Sequence, residues 1–159
     1  MTRPMFALAI AVAPTGLAAQ EVWELWSRPD SPVVLEVPDS LFDARVKTAE
    51  RDRIAWETAS GDIALVAFAL PPGYGDDPAA FMAGRMADYP DRTVTYEAGG
   101  DTWRVVSGYE SAGSRTIYYE RVEVGPDGRW AGLTLTWDES RRADVDALVG
   151  RIANSLALR

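Results

Sequence analysis

The chain has 159 residues, 47% of them hydrophobic and 25% charged, with a formal charge of −8. One domain fits that length, and burying roughly 68–70% of the unfolded surface lets such a domain close without a metal or a disulfide. There is no cysteine and no histidine, which excludes thiol nucleophiles, Ser-His-Asp triads, Cys/His zinc sites and histidine bases. The acidic balance argues against a nucleic-acid partner, whose phosphates call for clustered positive charge.

The first twenty residues have the layout of an export signal. Arg3 is the single charge near the start, Met5 to Ala13 is an unbroken apolar run, Pro14 and Gly16 break it, and Leu17-Ala18-Ala19-Gln20 offers small residues for cleavage. The run is about half the roughly 20 residues needed to span a bilayer, so no stable membrane anchor is expected. Lipidation at such a site needs a cysteine. Residues 1–19 are therefore expected to leave as a signal peptide, with 20–159 a single periplasmic or secreted domain.

After a lead-in over 21–32 that contains Trp23 and Trp26, Val33 to Val37 reads as a short strand closed by Pro38-Asp39. Residues 39–52 are polar, and a loop with a helical turn is expected. Arg53 to Ala59 reads as a strand, and Ser60-Gly61-Asp62 as a tight turn. Ile63 to Leu70 (IALVAFAL) is apolar throughout, the pattern of a strand covered on both faces. Asp77 followed by Pro78 is a helix start, and Pro90 a stop.

Two antiparallel hairpins are expected next. Arg92–Glu97 and Thr102–Ser107 make the first; Arg115–Val124 and Arg129–Trp137 make the second, around a Gly-Pro-Asp-Gly turn. Val145, Leu148, Val149, Ile152 and Leu156 then place an apolar stripe on a helix over about 141–156. The class is α+β: a mostly antiparallel sheet of six or seven strands with helices on both faces.

Four segments carry a family resemblance: Trp103–Gly108 (WRVVSG), Ile117–Arg121 (IYYER), Gly132–Trp137 (GLTLTW) and Val149–Leu156 (VGRIANSL). With Ala55–Leu65 upstream, their order resembles small exported proteins of the PsbP/DcrB-like superfamily, over roughly Val33 to Leu156. One departure is Trp137-Asp138, where many relatives close the last strand with Tyr-Pro. The resemblance implies a three-layer sandwich and a protein that binds or stabilises other proteins. The superfamily's partners range over a photosynthetic membrane complex, a small GTPase and envelope components. It has no shared catalytic motif, so it assigns a role to no residue here.

The residues themselves offer little chemistry. Ser107-Gly108 is not part of a Gly-x-Ser-x-Gly elbow, and Lys47 has no serine three residues before it. Gly73-Tyr74-Gly75-Asp76-Asp77 lacks the Lys-Ser/Thr of a phosphate loop and the spaced ligands of a calcium loop, so Asp77 is better read as a helix cap. Glu110, Glu120, Glu123, Asp101 and Asp138, with six tryptophans, leave a carboxylate hydrolase or carbohydrate binder as the alternative. That reading needs two acids converging in a Trp-lined cleft.

The leading expectation is an accessory module without catalysis or cofactor, binding an unknown envelope protein or complex. Glu120 and Arg121 are strand neighbours on opposite faces, so each needs a partner elsewhere, with Arg104 and Glu97 the expected ion-pair partners. Tyr118, Glu120, Arg121 and Trp130 of the second hairpin are the expected contact residues, on condition that Trp130 is exposed. The competing expectation is that a helix or the Trp23–Trp26 segment covers that face.

Overall fold

The structure, a computed structural model, describes residues 21–27, 31–42 and 52–159. The expected signal segment, residues 28–30 of the lead-in and most of the polar stretch at 39–52 lie outside the described residues.

Six antiparallel strands form the large sheet: β3 (Arg53–Glu57), β4 (Ile63–Leu70), β5 (Thr93–Gly99), β6 (Trp103–Tyr109), β7 (Thr116–Val124) and β8 (Trp130–Asp138). Their spatial order is β3-β4-β8-β7-β6-β5. Both expected hairpins form, β5 with β6 and β7 with β8. A second sheet joins β1 (Trp23–Ser27), β2 (Val33–Pro38) and β9 (Ala157–Leu158), with β2 in the middle.

Two helices complete the fold, α1 (Pro78–Ala87) and α2 (Arg142–Asn154). Asp77 caps α1 as its sequence suggests: its carboxylate accepts from the Ala79 and Ala80 amides at 2.8 and 3.3 Å. The helix closes on Asp88, two residues before Pro90. A short 3-10 turn, Glu139–Arg141, leads into α2.

β8 shows how the sheet divides the core. Ala131, Leu133, Leu135 and Trp137 face one way and join Val33, Leu35, Val145, Ile152 and Leu156 in the main apolar cluster. Trp130 faces the other way and joins Met82 of α1 with Val106, Tyr118 and Val122. The period-2 alternation of a strand produces both sets from one segment.

The expected helix-sheet-helix layering is met in part. The main cluster is closed by β2 as well as α2, which packs against β2 and β8. The lead-in that sequence reading leaves unstructured is strand β1, paired with β2 along its length. Cover on that side is therefore a small sheet with a helix beside it.

At the β5 end, one glycine fixes the pairing. A Cβ on Gly108 would stand 1.8 Å from the Thr93 carbonyl oxygen, so only glycine admits the close approach. The register slips between Val94 and Tyr96 at this point, a bulge that bends the edge strand.

Candidate functional site

The four expected contact residues separate onto two faces. β7 and β8 pair Val124 with Trp130, Glu120 with Thr134 and Tyr118 with Thr136. Tyr118, Glu120 and Trp130 therefore share the face that α1 covers. All three are fully buried, which corrects the expectation that they form a contact surface. Phe81 of α1 stacks on Trp130, ring centroids 4.4 Å apart and planes 18° from parallel. The indole Nε1 donates to the Gly75 carbonyl at 3.2 Å. A helix covers this face, and its aromatic side chain excludes water from the tryptophan.

Glu120 is the buried charge under that helix. It accepts from Nε of Arg85 and, at 3.1 Å, from Arg92, which follows α1. Arg92 also grips Glu110 with two bonds of 2.9 and 3.0 Å. Its guanidinium lies 3.9 Å from the Tyr89 ring centroid and 4.3 Å from that of Tyr118. Burial works to lower the Arg92 pKa, but the carboxylates of Glu110 and Glu120 outweigh it and hold the pKa above the ordinary value. Burial pushes the Tyr118 phenol up. This is a closed structural network, with every carboxylate oxygen of Glu110 and Glu120 occupied by an arginine.

The expected partners of Glu120 and Arg121 are corrected too. Arg104 and Glu97 bond each other across β5 and β6, because register places both on the α1 face at the sheet's edge. Arg121 pairs with Glu123, two residues along its own strand and so on the same face.

Arg121 alone of the four lies on the opposite face, and register assembles an aromatic surface around it. Tyr96, Ser107 and Tyr119 form one cross-strand row, and Ala98, Val105 and Arg121 the next. Trp103 follows, opposite Glu123. β2 and α2 pack over β4 and β8, which leaves the β5–β6 end of this face open. Tyr96 is 55% exposed, while Trp103, Tyr109 and Tyr119 are partly so.

Arg121 sits at the border of this surface. Its guanidinium lies 5.0 Å from the Trp103 ring centroid and donates to Asn154 at the end of α2 and to Glu123, both at 3.3 Å. Its Nε is buried and donates to nothing among the described residues. Burial raises the Tyr119 and Glu123 pKa values against the opposing pull of Arg121. β5 is the last strand of the sheet, so its outer row of backbone groups is open beside these rings. Strand alternation groups Tyr119 with Arg121, but nothing in the sequence pairs them with Tyr96 and Trp103. Tyr96 was hidden by the bulge.

Most acids named in the carboxylate reading are engaged by neighbouring side chains. Glu110 and Glu120 are taken up by Arg92, Trp56 and Trp130 are buried, and Asp138 is held by Ser140 and Arg115. No helix among the described residues is long and apolar enough to cross a membrane.

No protein-family profile and no curated protein sequence matches the chain. Solved structures do. The chain is similar to the Ran-binding protein Mog1p of Saccharomyces cerevisiae, with a TM-score of 0.59 at 7% identity, covering 87% of this chain and 96% of that one. It is also similar to cyanobacterial PsbP from Synechocystis, with a TM-score of 0.57 at 13% identity, covering 94% and 98%. At such identities the likeness establishes architecture alone, and that architecture is the PsbP-like fold shared by these two proteins.

Proposed function

We propose that the protein is an exported, non-catalytic module that binds an envelope protein or complex through the open β5–β7 face. One observation carries this reading: Tyr96, Trp103, Tyr119 and Arg121 are gathered by strand register on the part of the sheet left uncovered. Tyr, Trp and Arg are the residue types enriched at binding hot spots. Tyr96 is open to solvent and Trp103 and Tyr119 keep part of their rings exposed near it, the kind of exposed aromatic surface that marks an interaction site.

Two further points support it. The same architecture serves protein binding in one structural neighbour, the Ran-binding protein Mog1p. The apolar run at Met5–Ala13 followed by small residues supports export.

Affinity capture with the tagged mature protein tests the reading. Tyr96→Ser changes an exposed side chain and is expected to shift stability by no more than about 0.5 kcal/mol, while abolishing capture of the partner that the unmodified protein retains. Undiminished capture by a Tyr96→Ser, Trp103→Ala double variant would remove this face from consideration. Mass spectrometry of the exported form is expected to show a terminus at Ala19 or Gln20.

A further inference from the structure

A second feature lies on the α1 side of the sheet, away from the aromatic surface. β4 is apolar at every position, yet Val66 and Phe68 are only partly buried. The cause is the placement of α1, which packs over β6 and β7 and leaves the β4 end of that face open. A groove of about 480 Å3 results, within the range of roughly 300–1,000 Å3 typical of small-molecule sites. Val66 and Phe68 line it with Thr134, and Arg85 and Tyr89 form the α1 side. Asp52 and Arg53 bring one charge of each sign from the β3 side.

Arg85 is held ready at the polar end. Its Nε donates to the buried Glu120, and its guanidinium carbon lies 5.0 Å from the Phe68 ring centroid. Its two terminal nitrogens make no hydrogen bond among the described residues, and the side chain keeps 28% of its surface exposed. A guanidinium fixed by Nε and by a ring face presents its remaining edge as a fork, the geometry that receives a carboxylate with two parallel bonds.

We propose that this groove binds an amphipathic monocarboxylate, its apolar body on Val66 and Phe68 and its carboxylate on the outer edge of Arg85. Charge complementarity selects the occupant. A cationic head would meet the arginine directly. Asp52 and Arg53 offset each other on the rim and Glu120 is shared between Arg85 and Arg92, so the outer edge of Arg85 is matched by a single carboxylate rather than a dianion. The polar end asks for one negative charge, and the apolar floor asks for a hydrocarbon or ring attached to it. The site is on the other face from Tyr96, so its failure would leave the protein-binding reading intact, and the reverse holds too.

The probes are octanoate and 1-octanol, titrated into the mature protein and followed by amide chemical shifts. Octanoate is expected to give saturable shifts at Val66, Phe68, Arg85 and Thr134, with 1-octanol binding at least about tenfold more weakly, the equivalent of about 1.4 kcal/mol. Arg85→Met should bring octanoate down to the affinity of 1-octanol. Val66→Trp, which fills the apolar floor and keeps both members of the Arg85–Glu120 pair, should abolish binding of both probes. The proposal is overturned by the absence of saturable shifts up to about 5 mM octanoate, by equal affinity for the two probes, or by unchanged binding in Val66→Trp.

Discussion

Phe81 of α1 lies flat on Trp130 of β8, centroids 4.4 Å apart, and this stacking pair seats α1 on the second hairpin. It buries Trp130 together with Tyr118 and Glu120 on the α1 side, while Tyr119 and Arg121 of β7 lie on the other side, toward Tyr96. Trp130→Ala removes both the stack and the bond to Gly75 from a fully buried position. Chemical denaturation is expected to show a loss of about 3–5 kcal/mol, the range for a buried aromatic truncated to alanine. A loss under about 1 kcal/mol would mean that α1 does not seal this face.

The Arg92 network yields a stability prediction of a different kind. Arg92 is 6% exposed and Glu120 not at all, so removing the cation leaves a buried carboxylate with Arg85 as its remaining charged partner. Arg92→Met is expected to cost about 3–5 kcal/mol. The Arg92→Met, Glu120→Gln double variant should cost less than the two single changes together, by about 0.5–3 kcal/mol of coupling. Simple additivity in urea melts would show that the pair does not interact.

Asp62 gives a pH signature. Its carboxylate accepts from Thr58 at 2.6 Å, Ser60 at 2.7 Å and Arg141 at 2.6 Å. The Thr58 hydroxyl foremost, then Ser60 and Arg141, hold its pKa well below the usual carboxylate range. A depressed folded-state pKa means the unfolded chain binds the proton more readily. The stabilisation is then complete above the ordinary aspartate value of about 3.9 and drains away as the pH falls below it. Asp62→Asn is expected to lower Tm at neutral pH, with the gap from the unmodified protein narrowing steadily in melts taken below about pH 4. A gap independent of pH would assign the effect to lost hydrogen bonds alone.

Much of the architecture is legible in the residues. The Asp77-Pro78 start of α1, the all-apolar β4 and both hairpins follow from local chemistry, and the structure places their ends within two residues of expectation. β1 was hidden because Trp23 and Trp26 are three apart, not two, while Leu25 is 63% exposed, so no period-2 signal exists. β9 is two residues long and owes its pairing to β2, a partner more than a hundred residues earlier.

The site was half legible for the same reason. Alternation separates Tyr118 and Glu120 from Arg121, but it leaves open which set lies beside Trp130 and which face α1 covers; the β7–β8 register settles the first. The bonds from Arg85 and Arg92 to Glu120 join segments 35 and 28 residues apart. Such pairings depend on how a helix lands on a sheet, and spacing along the chain does not encode that. Val66 and Phe68 carried a signal read only as full burial; their partial exposure arises because α1 stops short of β4.

The central claim is that the protein meets its partner through the β5–β7 face. Its most direct test is a photo-crosslinking amino acid placed in turn at Tyr96, Leu25 and Tyr74, three exposed positions on separate parts of the surface. Irradiation is done in intact cells carrying the full-length chain. The account predicts a discrete crosslinked product from position 96, lost when Trp103→Ala is added, and little or none from positions 25 and 74. A product from position 25 or 74 with none from position 96 would contradict it.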